Sequence, residues 1–207
     1  MLSDLYRPTT WSEYIGHPAQ VRAVRRALAA FDRGAFWIDG PSGTGKTTMA
    51  DLICRELGVH ECERVDLNGD RCSVDAVREI ADTIHRRSLW SDWRAWIVNE
   101  AHCMTGRAVQ AWLTLLEQLP AKRLVIFTTT EVADKDLFGQ FTQPLLSRCL
   151  HVSLKTEGLA QAAAPRLAQI AAVEGLDGND LGVYARLVDG QKGNLRAALS
   201  KIEMGSI

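Results

Sequence analysis

Residues 40–48 read GPSGTGKTT, which places the fixed positions of G-x-x-x-x-G-K-[ST] on Gly40, Gly45, Lys46 and Thr47. The run before it, AFWIDG, is short, apolar and closed by glycine, as a buried strand is. The run after it, TTMADLICREL, carries apolar residues at helical period. A glycine-rich turn between a strand and a helix is the setting that this motif requires. Small residues let successive backbone N–H groups turn inward around a phosphate, and the helix start adds partial positive charge. In that geometry Lys46 reaches the β- and γ-phosphates of ATP or ADP, and the Thr47 hydroxyl ligates Mg²⁺. Pro41, Ser42, Gly43, Thr44 and Thr48 complete the cradle.

The rest of the chain is consistent with that unit. Residues 19–31 have helical period, and SVDAVREIADTIHRR and the segment from Arg107 to Leu119 predict two more helices, the latter stopping before Pro120. Between them lie apolar runs that read as strands: ERVDL, RAWIVNE, RLVIFTTT and CLHVSL. Strands alternating with helices predict a parallel sheet with helices on both faces. After about Val152 the strand signal stops. From Gly158 to Met204 there are only helical stretches punctuated by glycines. The expected organisation is an α/β P-loop domain over 1–152 and a small all-helical lid over 153–207, with Mg-ATP bound between them.

The strand AWIVN runs into Glu100. P-loop ATPases end this strand with an acid that holds the Mg²⁺ shell, followed by a glutamate that polarises the attacking water. Glu100 fits the second role. Asn99 keeps an oxygen for the metal but lacks the charge; asparagine is also a good helix cap, but its position directly after the strand favours the metal-side role.

Composition excludes several classes. The 207 residues are 46% hydrophobic and 24% charged, the balance of a folded soluble protein. No apolar run is long enough to span a bilayer, and the opening MLSDLYRPTTW lacks the basic and apolar segments of a signal peptide, so no membrane partner and a cytoplasmic location are expected. A net charge of −1 provides no global field for nucleic acid, and DNA contact must come from a few placed cations. The five cysteines are odd in number and share no C-x-x-C spacing, which argues against a zinc site.

With these motifs in order, the chain resembles the clamp-loader branch of the AAA+ ATPases, which open sliding clamps for replicative polymerases. The opening LYRPTTWSEYIGHPAQV is similar to the family's entry motif, which implies that Tyr6, Arg7, Pro8 and Ile15 line the adenine pocket. VDLNGDRCSVDAVREI resembles the second strand and following helix, with Asn68 facing the catalytic glutamate and Arg78 on a DNA-facing helix; Arg107 is the second candidate for DNA. The resemblance makes Thr129, or its neighbours Thr128 and Thr130, the sensor 1 residue that reads the γ-phosphate. PLLSRC matches the Ser-Arg-Cys motif and implies that Arg148 is an arginine finger for a neighbouring subunit's ATP. GNLRAAL resembles sensor 2, which puts Arg196 over the phosphates. The implied partners are other clamp-loader subunits, engaged through Arg148 and the P-loop face, a sliding clamp, and primed DNA bound weakly by the chain alone.

The departures have functional meaning too. Asn99 stands for the usual aspartate, Val109 for a glutamine that links the ATP site to the DNA-facing helices, and Gly106 for a basic residue. The zinc-binding insertion of bacterial loader ATPases is missing after the P-loop helix, and the chain ends just past the sensor 2 helix, without the family's collar. Two classes of function follow. One is a loader subunit that binds Mg-ATP and hydrolyses it slowly. The other is a non-catalytic protein, of the kind a phage encodes, that inserts into a host loader and modifies or blocks it.

Overall fold

The computed structural model describes residues 1–130, 143–176 and 178–206. The chain separates into two compact units. One comprises Arg22–Gly40 and Ile53–Ser153, and the other Met1–Val21, Pro41–Leu52 and Leu154–Ile207. The entry segment and the phosphate loop fall in the same unit as the C-terminal helices.

In the first unit, strands β1 (Gly34–Asp39), β2 (Arg64–Asn68), β3 (Arg94–Asn99), β4 (Arg123–Thr129) and β5 (Cys149–Ser153) form one sheet in the order β2-β3-β4-β1-β5. Every pairing is parallel. This is the sheet expected from the alternating pattern. β1, β3 and β4 are almost continuously buried, as strands covered on both faces must be. The register aligns Asp39 with Thr129 and Ser153, and Asn68 with Asn99, so the carboxyl ends of all five strands finish on one edge. Open parallel sheets carry their ligand sites at that edge.

Helix α1 (Leu2–Leu5) opens the chain, followed by α2 (Pro18–Leu28), α3 (Lys46–Glu56), α4 (Val74–Thr83) and α5 (Gly106–Glu117). α5 inserts Trp112 into the sheet unit's core, fully buried and edge-on to Phe127 at 5.3 Å between ring centres. Its indole N–H donates to Cys72 Sγ at 3.0 Å, which settles the polar group of this fully buried side chain.

The α4 helix is shorter than its sequence period predicts. It stops at Thr83, although the apolar and basic pattern continues to Arg87. The cause is tertiary. Arg123, buried at 6% exposure, donates from Nε to the Ile84 carbonyl at 2.7 Å and from Nη2 to the Arg86 carbonyl at 2.8 Å. Arg94, its partner in the β3–β4 register, donates to the Thr83 carbonyl at 3.1 Å and pairs with the buried Glu63 at 2.9 Å. Two guanidinium groups thus take the carbonyls that a helix end leaves open, at the pole where cations are favoured. Arg123→Met keeps the apolar stem and strands these carbonyls. We expect it to cost about 3 kcal/mol, or a fall in Tm of roughly 6–12 °C in thermal unfolding. A variant that melts with the wild type would show that water replaces the guanidinium without penalty.

The second unit is built on α6 (Leu159–Val173), α7 (Leu181–Gly190) and α8 (Leu195–Glu203). Small residues of α6 (Ala160, Ala163, Ala164 and Ala171) let α7 and α8 pack closely, with Tyr184 and Val188 filling the space. Leu2, Tyr6 and Ile15 of the entry segment join this core, which explains why residues 1–21 group with the C-terminal helices. Among the described residues no helix is long and apolar enough to cross a membrane.

Candidate nucleotide site

The phosphate loop leaves the end of β1 and enters α3 at Lys46, as the motif requires. Gly43 and Gly45 have φ of 77° and 103°, values that a side chain would strain, and this is the physical reason for glycine at both. The Lys46 side chain is buried, with Nζ donating to the Pro41 carbonyl at 2.9 Å. Thr44 Oγ1 donates to the same carbonyl at 2.8 Å, so the loop is closed on itself around Pro41.

Two further segments of the same unit touch the loop, through residues to which the sequence assigned no role. From the entry segment, Tyr14 donates its hydroxyl to the Gly45 carbonyl at 3.3 Å, and a Cβ on Gly45 would meet that hydroxyl at 2.8 Å. Burial pushes the Tyr14 phenol above its ordinary range, so it remains a donor. His17 sits beside it and bonds the backbone of Thr44; burial lowers its pKa more than that bond raises it, which favours neutral imidazole. From the helical side, the Leu195 amide donates to the Gly43 carbonyl at 3.1 Å. Asn194 caps α8 by accepting from the Ala197 amide at 3.0 Å. An asparagine directly before LRAAL, within the GNLRAAL segment, is a helix-start signal.

The proposed adenine-pocket residues lie in this unit as well. Tyr6 donates to Glu174 Oε1 at 2.5 Å and carries the Arg166 guanidinium 6.0 Å from its ring centre; the carboxylate raises the phenol pKa. Arg7 pairs with Asp51 of α3 at 3.4 Å, tying the entry segment to the P-loop helix. Ile15 packs with the lid core, and Pro8 is half-buried. Arg196, the second residue of α8, is exposed.

In the sheet unit, the ends of β3 and β4 gather a second group. Glu100 adopts a left-handed backbone, φ 51° and ψ 49°, an uncommon conformation for a residue with a side chain and one that concentrates at functional positions. Thr130 donates to Glu100 Oε2 at 3.2 Å. His102 Nδ1 lies 3.0 Å from Thr129 Oγ1 and 3.5 Å from the same Glu100 oxygen. Thr128 donates to Asn99 Oδ1 at 3.0 Å. The three threonines thus divide: Thr128 holds Asn99, Thr129 meets His102, and Thr130 holds Glu100. The cap position of the short turn over Ala101–Cys103 belongs to Glu100, not Asn99. Asn68 is exposed beside Asn99, and the adjoining Gly69 packs so closely that a Cβ there would meet the Glu100 carbonyl at 2.2 Å.

Arg148 is also organised in advance. Its guanidinium bonds Glu117 Oε1, at the end of α5, at 2.6 Å and the Pro144 carbonyl at 2.9 Å. Of the two candidates for DNA, Arg78 is exposed and pairs with Asp75 at 3.1 Å. Arg107 lines a cavity of about 720 Å³ with Gly69, Asp70, Ser73 and Thr105. Ser73 and Thr105 are the side-chain caps of α4 and α5, so two helix starts border this cavity. Among the described residues no group of three or more His, Cys, Asp or Glu side chains is arranged to hold a metal ion.

Comparison with known proteins supplies the rest. A family model described as DNA polymerase III, delta subunit, matches residues 55–158. Over 98% of its length the chain is 28% identical to the DNA polymerase III subunit gamma/tau of Mycoplasma pneumoniae, of which it covers 32%. It is equally 28% identical, over 99% of its length, to the replication factor C small subunit of Natronomonas pharaonis, covering 62% of that protein. The chain therefore spans between about a third and three-fifths of these relatives. Among solved structures it resembles the Thermotoga maritima RuvB Holliday junction branch migration motor, with a TM-score of 0.70 at 19% identity, covering 96% of this chain and 64% of that one. At that identity the likeness shows the fold.

Proposed function

Since this chain belongs to the family described as DNA polymerase III, delta subunit, we propose that it works as an ATP-binding clamp-loader subunit in DNA replication. The observation that carries this reading is the phosphate loop. Its glycines have the backbone angles that the motif needs, and its lysine is buried against the loop. Mg-ATP or ADP binds there through the loop amides and Lys46, with the adenine against Tyr6, Arg7, Pro8 and Ile15. Arg196 reads the γ-phosphate from the lid. Glu100 polarises the attacking water, with Thr129 or its neighbours as sensor 1. Thr47 and Asn99 provide oxygens for Mg²⁺. The donor set fits that ion, because Mg²⁺ is held by one or two protein oxygens together with phosphates and water, and no protein cage is needed. When bound, Mg²⁺ neutralises charge that develops on the phosphates.

The relatives are named as DNA polymerase III and replication factor C subunits, which supports a replication subunit over an inhibitor of a host loader. Arg148 then acts on the ATP of an adjacent subunit. Head-to-tail contacts of that kind build rings or spirals. Isothermal titration with Mg-ATP tests the proposal, and the expected affinity is micromolar, on the order of −8 kcal/mol. A wild type that binds neither ATP nor ADP would end it.

Contact with DNA is assigned to Arg78 and Arg107. Because the net charge is −1, the isolated chain should bind primed DNA weakly and with a shallow salt dependence. Arg107→Ala should lower affinity alike for all sequences and reduce the slope of log K against log salt by about one. Tight binding at physiological salt that ignores both arginines would refute the assignment.

A further inference from the structure

Asn194 has two jobs at once, and they meet on the phosphate loop. Its side chain caps α8, the helix whose first turn carries Arg196. Asn194 also lies against the loop: a Cβ built on Gly43 would meet its side chain first, 2.0 Å from Oδ1 and 2.3 Å from Cγ, with the Asn194 Cα at 2.9 Å. The next residue, Leu195, donates its amide to the Gly43 carbonyl at 3.1 Å. The start of α8 is therefore registered on the loop by the Leu195 hydrogen bond and the close approach of Asn194, whose cap bond to Ala197 holds the first turn of the helix. The Asn194 side chain is the part of this helix start that comes nearest to Gly43.

From this geometry we infer that Asn194 is a positioning residue for ATP recognition: it fixes the helix start on Gly43 and so holds Arg196 at a set distance from the phosphates. The inference rests on the proposal that nucleotide occupies the loop. The physical argument concerns order. Arg196 is long and exposed, and it discriminates ATP from ADP only if its helix does not move relative to the loop. Without a side-chain cap the first turn frays, and the Leu195 amide loses its fixed direction. Discrimination falls even though Arg196 is still present. Serine at 194 keeps a capping oxygen and should keep discrimination.

The test is the ratio of ATP to ADP affinity, measured by titration with the wild type, Arg196→Ala, Asn194→Ala, Asn194→Ser and the double variant Asn194→Ala/Arg196→Ala. Thermal melting is recorded for each. Arg196→Ala should reduce the ratio about tenfold, the scale of one charge-assisted hydrogen bond. Asn194→Ala should reproduce most of that loss, and Asn194→Ser should restore the ratio to within about twofold of the wild type. The double variant should show no further loss than Arg196→Ala alone, because the two residues act through one contact. If Asn194→Ala only lowers the Tm and leaves the ratio intact, it is a structural cap and the inference is overturned. Additive losses in the double variant would overturn it equally. A wild type with no affinity for either nucleotide would instead remove the proposed function beneath it.

Discussion

Lys46→Ala should weaken Mg-ATP binding by about 30- to 150-fold. Lys46 is buried beside Pro41, inside the loop and not on a solvated surface. A charge-assisted bond to phosphate in such a place contributes roughly 2–3 kcal/mol, so its removal moves a micromolar site to about 30–150 μM. The substitution also removes the bond to the Pro41 carbonyl. Melting with and without nucleotide separates the two effects: the variant should retain a cooperative transition and lose its stabilisation by ATP. Unchanged affinity in a folded variant would sink the nucleotide assignment.

Glu100→Gln should reduce ATP turnover by about 100-fold or more while affinity stays near that of the wild type, since a general base acts on the reaction and not on binding. The carboxylate already has an assigned position, held by Thr130 and flanked by His102, and glutamine keeps the Thr130 bond through its amide oxygen. The loss then reports basicity alone. Asn99→Asp is the complementary change. Aspartate retains the oxygen that accepts from Thr128, so the substitution adds charge without altering that contact. It should raise the rate, because an anionic outer-shell partner orients the metal better than a neutral amide. Brisk turnover by the wild type that falls in Asn99→Asp would reverse the reading of this position.

Local pattern was enough for most of the fold. AFWIDG, RAWIVNE and RLVIFTTT read as buried strands because both faces of each are covered, which leaves an uninterrupted apolar run. The phosphate loop was legible because its chemistry depends on near neighbours in the chain: glycines for backbone angle, then lysine and threonine at the helix start. The end of α4 was not legible. Its stop is set by Arg94 and Arg123, residues from strand starts that are 11 and 39 positions away from the carbonyls they take. Periodicity reports the helix's own preference and has no access to such donors.

The same division runs through the site. The turn through Gly45 and Lys46 between a strand and a helix, and the position of Glu100 directly after β3, follow from short-range rules. Tertiary structure alone decided what stands against them: Tyr14 on Gly45, Asn194 and Leu195 on Gly43, Thr130 on Glu100, and Glu117 on Arg148. It also decided which of three consecutive threonines meets which partner, because alternation along β4 and the turn beyond it distributes them among different neighbours. Each of these contacts joins residues about 30 or more apart in the chain. Propensity and motif spacing act over a few residues, whereas a contact between distant segments exists only once the chain has folded them together.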